Sequence, residues 1–124
     1  MTYGTILIVD DSKTSRMITK RCLEIAGYLD SEYLEAEDGV RAMAMLQKRH
    51  VDLILSDLRM PKMDGSTFIQ KLRMNETTRS IPVVVISSMG NDVTEGELKG
   101  VGVQAVIRKP INPEKVVEAL GEAP

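Results

Sequence analysis

Short aliphatic runs recur along the chain at residues 5–9, 33–34, 51–55, 83–86 and 103–107. Those at 5–9, 51–55 and 83–86 are almost continuous Val, Ile and Leu, the pattern of parallel strands covered on both faces. The run at Tyr33 is the weakest, with Glu32 and Glu35 beside it, which predicts an edge position. Between the runs the apolar period changes to that of helices. Ile18, Cys22, Ile25 and Ala26 form a stripe within 14–27, which Gly27 stops. Val40, Met43 and Leu46 mark a helix over about 39–49, and Phe68, Ile69 and Leu72 mark another, opened by the capping Asp64 and Gly65. Val116, Val117 and Leu120 mark the last, from Pro113 to Leu120. In the stretch 91–100, Gly90, Gly96, Gly100 and Gly102 penalise regular structure, so a short or mobile fourth helix is expected there.

The alternation reads as (βα)5, an α/β fold with one doubly wound, parallel, five-stranded sheet between two helical layers. A single domain over 1–124 is expected, with no effector domain. In such sheets ligands collect at the carboxyl ends of the strands. The first run ends in Asp10-Asp11, the third in Asp57, the fourth in Ser87-Ser88 and the fifth in Arg108-Lys109-Pro110. Three carboxylates brought together repel one another, and a hard cation relieves that repulsion. An oxygen-only donor set without His or Cys favours Mg2+, which also takes phosphate oxygens as ligands. Lys109 offsets further charge, Ser87 offers a hydrogen bond, and a carboxylate can attack phosphorus.

Composition narrows the function classes. The chain has 124 residues with one Phe, three Tyr and no Trp, so its core must be aliphatic and base-stacking platforms are scarce. A net charge of −2 supplies no basic field for a phosphate backbone, and direct nucleic-acid binding is not expected. A lone Cys22 excludes an internal disulfide. No apolar run approaches the roughly 20 residues of a membrane span, and a cytoplasmic location without membrane contact is expected.

The segment from Asp57 through Met60-Pro61 to Met63-Asp64-Gly65 resembles the phosphoacceptor signature of bacterial response-regulator receiver domains, the CheY-like family. Asp10-Asp11-Ser12, Ser87 and Lys109-Pro110 fall in the family's order and spacing, so the resemblance covers essentially the whole chain. It implies a flavodoxin-like fold and a phosphoacceptor switch that assists its own phosphorylation and dephosphorylation rather than a turnover enzyme. Asp57 would take a phosphoryl group from a sensor histidine kinase or a histidine phosphotransfer protein. Asp11 and Asp57 would ligate Mg2+ directly, Asp10 through water, and the backbone carbonyl of Arg59 would complete the protein's share. Ser87 and Lys109 would contact the phosphoryl oxygens, and the Lys109-Pro110 bond is expected to be cis. A downstream target would meet the face of the fourth helix, fifth strand and fifth helix. The kinase would dock on the first helix and the loop after the fifth strand.

Other readings stand beside these. Lys13, Arg16, Lys20 and Arg21 are by default a solvated helix face, His50 a helix-end cation, Cys22 core, and Asp64-Gly65 a helix start. Met17, Met63 and Met89 are candidates for partner contact. Arg59, Ser88 and Met89 flank the acceptor, and Val106 stands where many receivers carry a ring. An Asp-nucleophile phosphohydrolase of the haloacid-dehalogenase type needs a second Asp two residues after the first, and Ser12 stands there. A flavodoxin-like cofactor binder needs a Ser/Thr/Gly-rich loop after the first strand and aromatics against the flavin, and the sequence has neither. A degenerate receiver would have lost site residues that are present here.

Overall fold

The computed structural model describes residues 3–58, 60, 62–87, 100 and 102–121. Five parallel strands form one sheet in the order β2-β1-β3-β4-β5. They are β1 (Thr5–Val9), β2 (Glu32–Ala36), β3 (Leu53–Asp57), β4 (Val83–Ser87) and β5 (Ala105–Arg108). Four helices are described: α1 (Lys13–Ile25), α2 (Gly39–Lys48), α3 (Gly65–Met74) and α4 (Pro113–Leu120). The expected helix at 91–100 falls on a segment of which only Gly100 is among the described residues.

Alternation along the strands divides the core in two. Leu7, Val9, Ile54, Val83 and Val85 face α2 and α3, where Ala42, Phe68, Ile69 and Leu72 pack on them. Ile6, Ile8, Leu53, Leu55, Val84 and Ile86 face α1 and α4, meeting Leu23, Cys22 and Val116. Both faces of β3 and β4 are therefore covered, and every residue of each is buried. The weak run at Tyr33 is the edge strand β2, as its glutamates predict. The few rings sit inside: Tyr3, Tyr28 and Phe68 are buried.

The helices start on their own side chains. Ser12, Asp38, Asp64 and Asn112 each cap one, accepting from a backbone N–H three residues on. Helix α1 ends at Gly27, which has φ 111°. The Gly27 N–H donates to the Glu24 carbonyl and the Tyr28 N–H to that of Leu23, the paired closure that a left-handed residue permits. The order β2-β1-β3 places the reversal of winding between β1 and β3, so the carboxyl ends of those two strands open a crevice.

Candidate functional site

Asp10 leaves β1 at this crevice, and Asp57 is the last residue of β3. Their register, Val9 beside Ser56, brings the two carboxylates level. Asp10, Asp11 and Asp57 each offer an oxygen such that the three lie within 4.8 Å of one another. Lys109, just past β5, reaches between two of them: its Nζ is 3.5 Å from Asp57 Oδ2 and 3.6 Å from Asp10 Oδ2. Ser87, buried at the end of β4, accepts on its carbonyl from the Lys109 N–H at 2.7 Å. The Lys109-Pro110 bond is cis, as the family resemblance implies.

The two buried carboxylates are held by their nearest amides. Asp10 Oδ1 accepts from the Ser12 N–H at 2.9 Å, and Asp57 Oδ1 from the Leu58 N–H at 2.8 Å. Burial pushes the Asp10 carboxyl above its ordinary range, although the Ser12 amide and Lys109 pull the other way and Asp57 and Asp11 add to the rise. Removal from water outweighs the nearby cation. The donor set is all oxygen, and its charge is compensated only in part, which fits a hard divalent cation.

Asp64 and Gly65 are structural, in keeping with their reading as a helix start. Asp64 caps α3 through the Thr67 N–H, and the Gly65 N–H donates to the Leu58 carbonyl at 2.8 Å. A Cβ at position 65 would stand 2.5 Å from the Asp57 carbonyl oxygen and 2.8 Å from Leu58 Cα. Glycine therefore lets α3 start directly against the residue that ends β3.

Several single residues settle into place. Cys22 is buried, and His50 is exposed and pairs with Asp52. Met63 packs against Gly39 and the α2–α3 core, whereas Met17 is exposed. Arg59, Ser88 and Met89 lie outside the described residues. Val106 is partly buried against the α2–α3 core.

The basic face read on α1 divides. Lys20 lies over the Tyr33 ring, 5.5 Å from its centroid. Arg16 folds back, its Nη1 donating to the Asp10 carbonyl at 2.6 Å and its Nε to Glu35 at 2.8 Å. Sequence reasoning missed this residue as part of the site. Its signal is positional: a helical side chain leans toward the N-terminus, so a long cation one turn into α1 covers the strand exit before it. Asp38 was also missed; it is buried, caps α2 and lies 3.8 Å from Lys62 Nζ.

Comparison with known proteins agrees with this geometry. Residues 6–121 match the response regulator receiver domain family. The chain is 31% identical to the probable chemotaxis protein CheY of Rhizobium etli, over 93% of this chain and 88% of that protein. It is 34% identical to chemotaxis protein CheV3 of Helicobacter pylori and 36% identical to the phosphate regulon transcriptional regulatory protein PhoB of Pseudomonas aeruginosa. It covers 96% and 97% of itself in those matches, yet spans only 40% and 51% of the two relatives. Among solved structures, the chemotaxis response regulator CheY4 of Vibrio cholerae superposes at a TM-score of 0.83 with 34% identity, covering 96% of this chain and 97% of that one. The chain belongs to the CheY-like response regulator receiver domains of two-component signalling.

Proposed function

We propose that this receiver domain is a Mg2+-dependent phosphoacceptor switch, taking a phosphoryl group from a phosphohistidine onto Asp57. The observation that carries the reading is Lys109, whose ammonium stands within 3.6 Å of both Asp10 and Asp57 beside a three-carboxylate cluster. Receiver domains bind Mg2+ in such a pocket, and here Asp10, Asp11 and Asp57, with the Arg59 carbonyl, are the residues to hold it. When bound, Mg2+ would neutralise part of the carboxylate charge and the oxygens of an incoming phosphoryl group.

The chain's own residues then have separate tasks. A lone pair of the Asp57 carboxylate forms the O–P bond. The P–N bond to the donor histidine breaks, and its electron pair leaves on the imidazole nitrogen. Lys109 and Ser87 take charge on the phosphoryl oxygens, so catalysis is mostly positioning and electrostatics. The acyl phosphate hydrolyses in time, which makes the chain a switch rather than a turnover enzyme.

Two grooves support a reading of where partners dock. One, of about 410 Å³, is lined by Ser15, Ile18 and Thr19 of α1 and by Lys109, Pro110 and Ile111. Lys109 belongs to both groove and site, so a histidine-bearing helix of a kinase or phosphotransfer protein seated there lies beside Asp57. The other, of about 430 Å³, runs along β5 and α4 past Val106, Arg108 and Lys115. It suits the downstream target. No helix among the described residues is long and apolar enough to cross a membrane, in keeping with action in the cytoplasm.

The test is intact mass after incubation with Mg2+ and acetyl phosphate. One phosphoryl group should appear, disappear when the Mg2+ is chelated beforehand, and be absent in Asp57→Asn. Unmodified wild-type chain with both this donor and a phosphorylated histidine kinase would overturn the reading.

A further inference from the structure

We propose that Arg16 is a positioning residue for the acid pocket, fixing the Asp10–Asp11 peptide and through it the cation affinity of the site. The inference rests on the Mg2+ reading above. Arg16 is on the helix after the acidic strand exit, and its side chain is only 14% exposed. Its guanidinium donates in two directions: Nη1 to the Asp10 carbonyl at 2.6 Å and Nε to Glu35 Oε1 of β2 at 2.8 Å. A planar fork held at both ends has little freedom left, which distinguishes it from a solvated surface cation.

The position of that carbonyl gives the contact its consequence. Asp10 and Asp11 share the peptide it belongs to, and a planar peptide ties the carbonyl direction to the path into Asp11. The Asp10 carboxylate has anchors of its own, the Ser12 amide and Lys109. Asp11 is exposed, and among the described residues no hydrogen bond or ion pair holds its carboxylate. Its aim into the cluster is therefore set by the backbone, and Arg16 holds that backbone. Glu35, at the end of β2, holds Arg16 in turn, while the Asp10 N–H donates to the neighbouring Ala36 carbonyl at 3.1 Å. The edge strand thus supports the pocket by two routes.

Two simpler roles give different results. If Arg16 acted only as a charge near three carboxylates, its removal would tighten cation binding. If it were only a strut between α1 and β2, its removal would lower the melting temperature and leave cation affinity alone.

Calorimetric titration of the whole chain with MgCl2 separates these roles, using wild type, Arg16→Met, Arg16→Lys and Glu35→Gln. Each metal-free melting temperature is recorded alongside. Arg16→Met should weaken Mg2+ binding roughly tenfold, the scale of outer-shell ligand support. Arg16→Lys should restore part of the affinity, and Glu35→Gln should shift it in the same direction by less. Unchanged or tighter binding in Arg16→Met overturns the proposal. Should that variant fail to fold, Glu35→Gln, altered on an exposed edge strand, decides by the same criterion. Wild type that binds no Mg2+ overturns the functional reading along with this one, whereas binding that is the same in wild type and variants overturns only this one.

Discussion

Asp10 leaves the carboxyl end of β1, and Asp52 stands just before the amino end of β3, the strand beside it. Both are acidic residues at the rim of one sheet, yet the fold treats their charges in opposite ways. Asp52 Oδ2 accepts from the Thr5 N–H at 2.9 Å, and Oδ1 meets His50 Nε2 at 2.9 Å. The Thr5 amide is the main reason its carboxyl lies below the ordinary range, with His50 helping against a smaller cost of burial. Asp10 accepts an amide hydrogen bond too and has a lysine beside it, but burial prevails and its carboxyl lies above that range. The amino rim is finished as a surface. At the carboxyl rim, charge is gathered beyond what the protein itself compensates, as expected where a ligand completes the electrostatics.

Substitutions at the two rims should therefore behave differently. The largest effect is expected from Gly65→Ala, because the new Cβ meets backbone at 2.5 and 2.8 Å at the end of β3. A loss of about 3 kcal/mol in urea unfolding is the scale of such overpacking. A loss below about 1 kcal/mol would mean that α3 does not abut Asp57 as described.

Asp10→Asn should move stability the other way. The raised carboxyl means that the unfolded chain ionises first as pH rises. Stability falls across that interval, and the deficit is complete above the folded value. Removing the charge should stabilise the metal-free protein by about 1 kcal/mol at neutral pH while reducing the stabilisation that Mg2+ gives. Thermal melts with and without Mg2+ check both halves. A destabilised apo protein would erase the contrast between the rims.

Asp52→Asn should destabilise, and by less than about 1 kcal/mol, since a third of that side chain is open to solvent. Its depressed carboxyl contributes stability above the unfolded value and loses it as pH falls through the folded one. The difference from wild type should thus be present at pH 7 and vanish in strong acid, which a pH series of melts will show. Smallest of all is Gly4→Ala, whose Cβ would meet only the movable Asp52 Oδ2 at 3.1 Å. A change within about 0.5 kcal/mol is expected.

Much of this architecture was legible because each strand and helix has its own period. The run at 51–55 nevertheless became β3 at Leu53–Asp57, since Asp57 continues the ladder beside Ile86 and apolar counting stops at a charge. The run at 103–107 begins its strand at Ala105, three residues after the turn at Gly102, where φ is 79°. The meeting of Asp10, Asp11, Asp57 and Lys109 was legible, because a parallel sheet gathers its carboxyl ends whatever lies between them. Arg16 was not, since its partner is a carbonyl oxygen, which every residue carries and no sequence pattern marks. Asp38 was not, because its burial and its nearness to Lys62 arise from tertiary packing at the start of α2. Arg73 illustrates the same limit, donating from α3 to the carbonyls of Arg79, Ile81 and Gly102.

The most direct measurement locates the phosphoryl group itself. After incubation with Mg2+ and acetyl phosphate, borohydride reduction converts an aspartyl phosphate to homoserine, which peptide mass spectrometry then places in the sequence. Homoserine is expected at position 57 alone. Homoserine at Asp10, Asp11 or Asp52, or phosphate retained on His50, would contradict it.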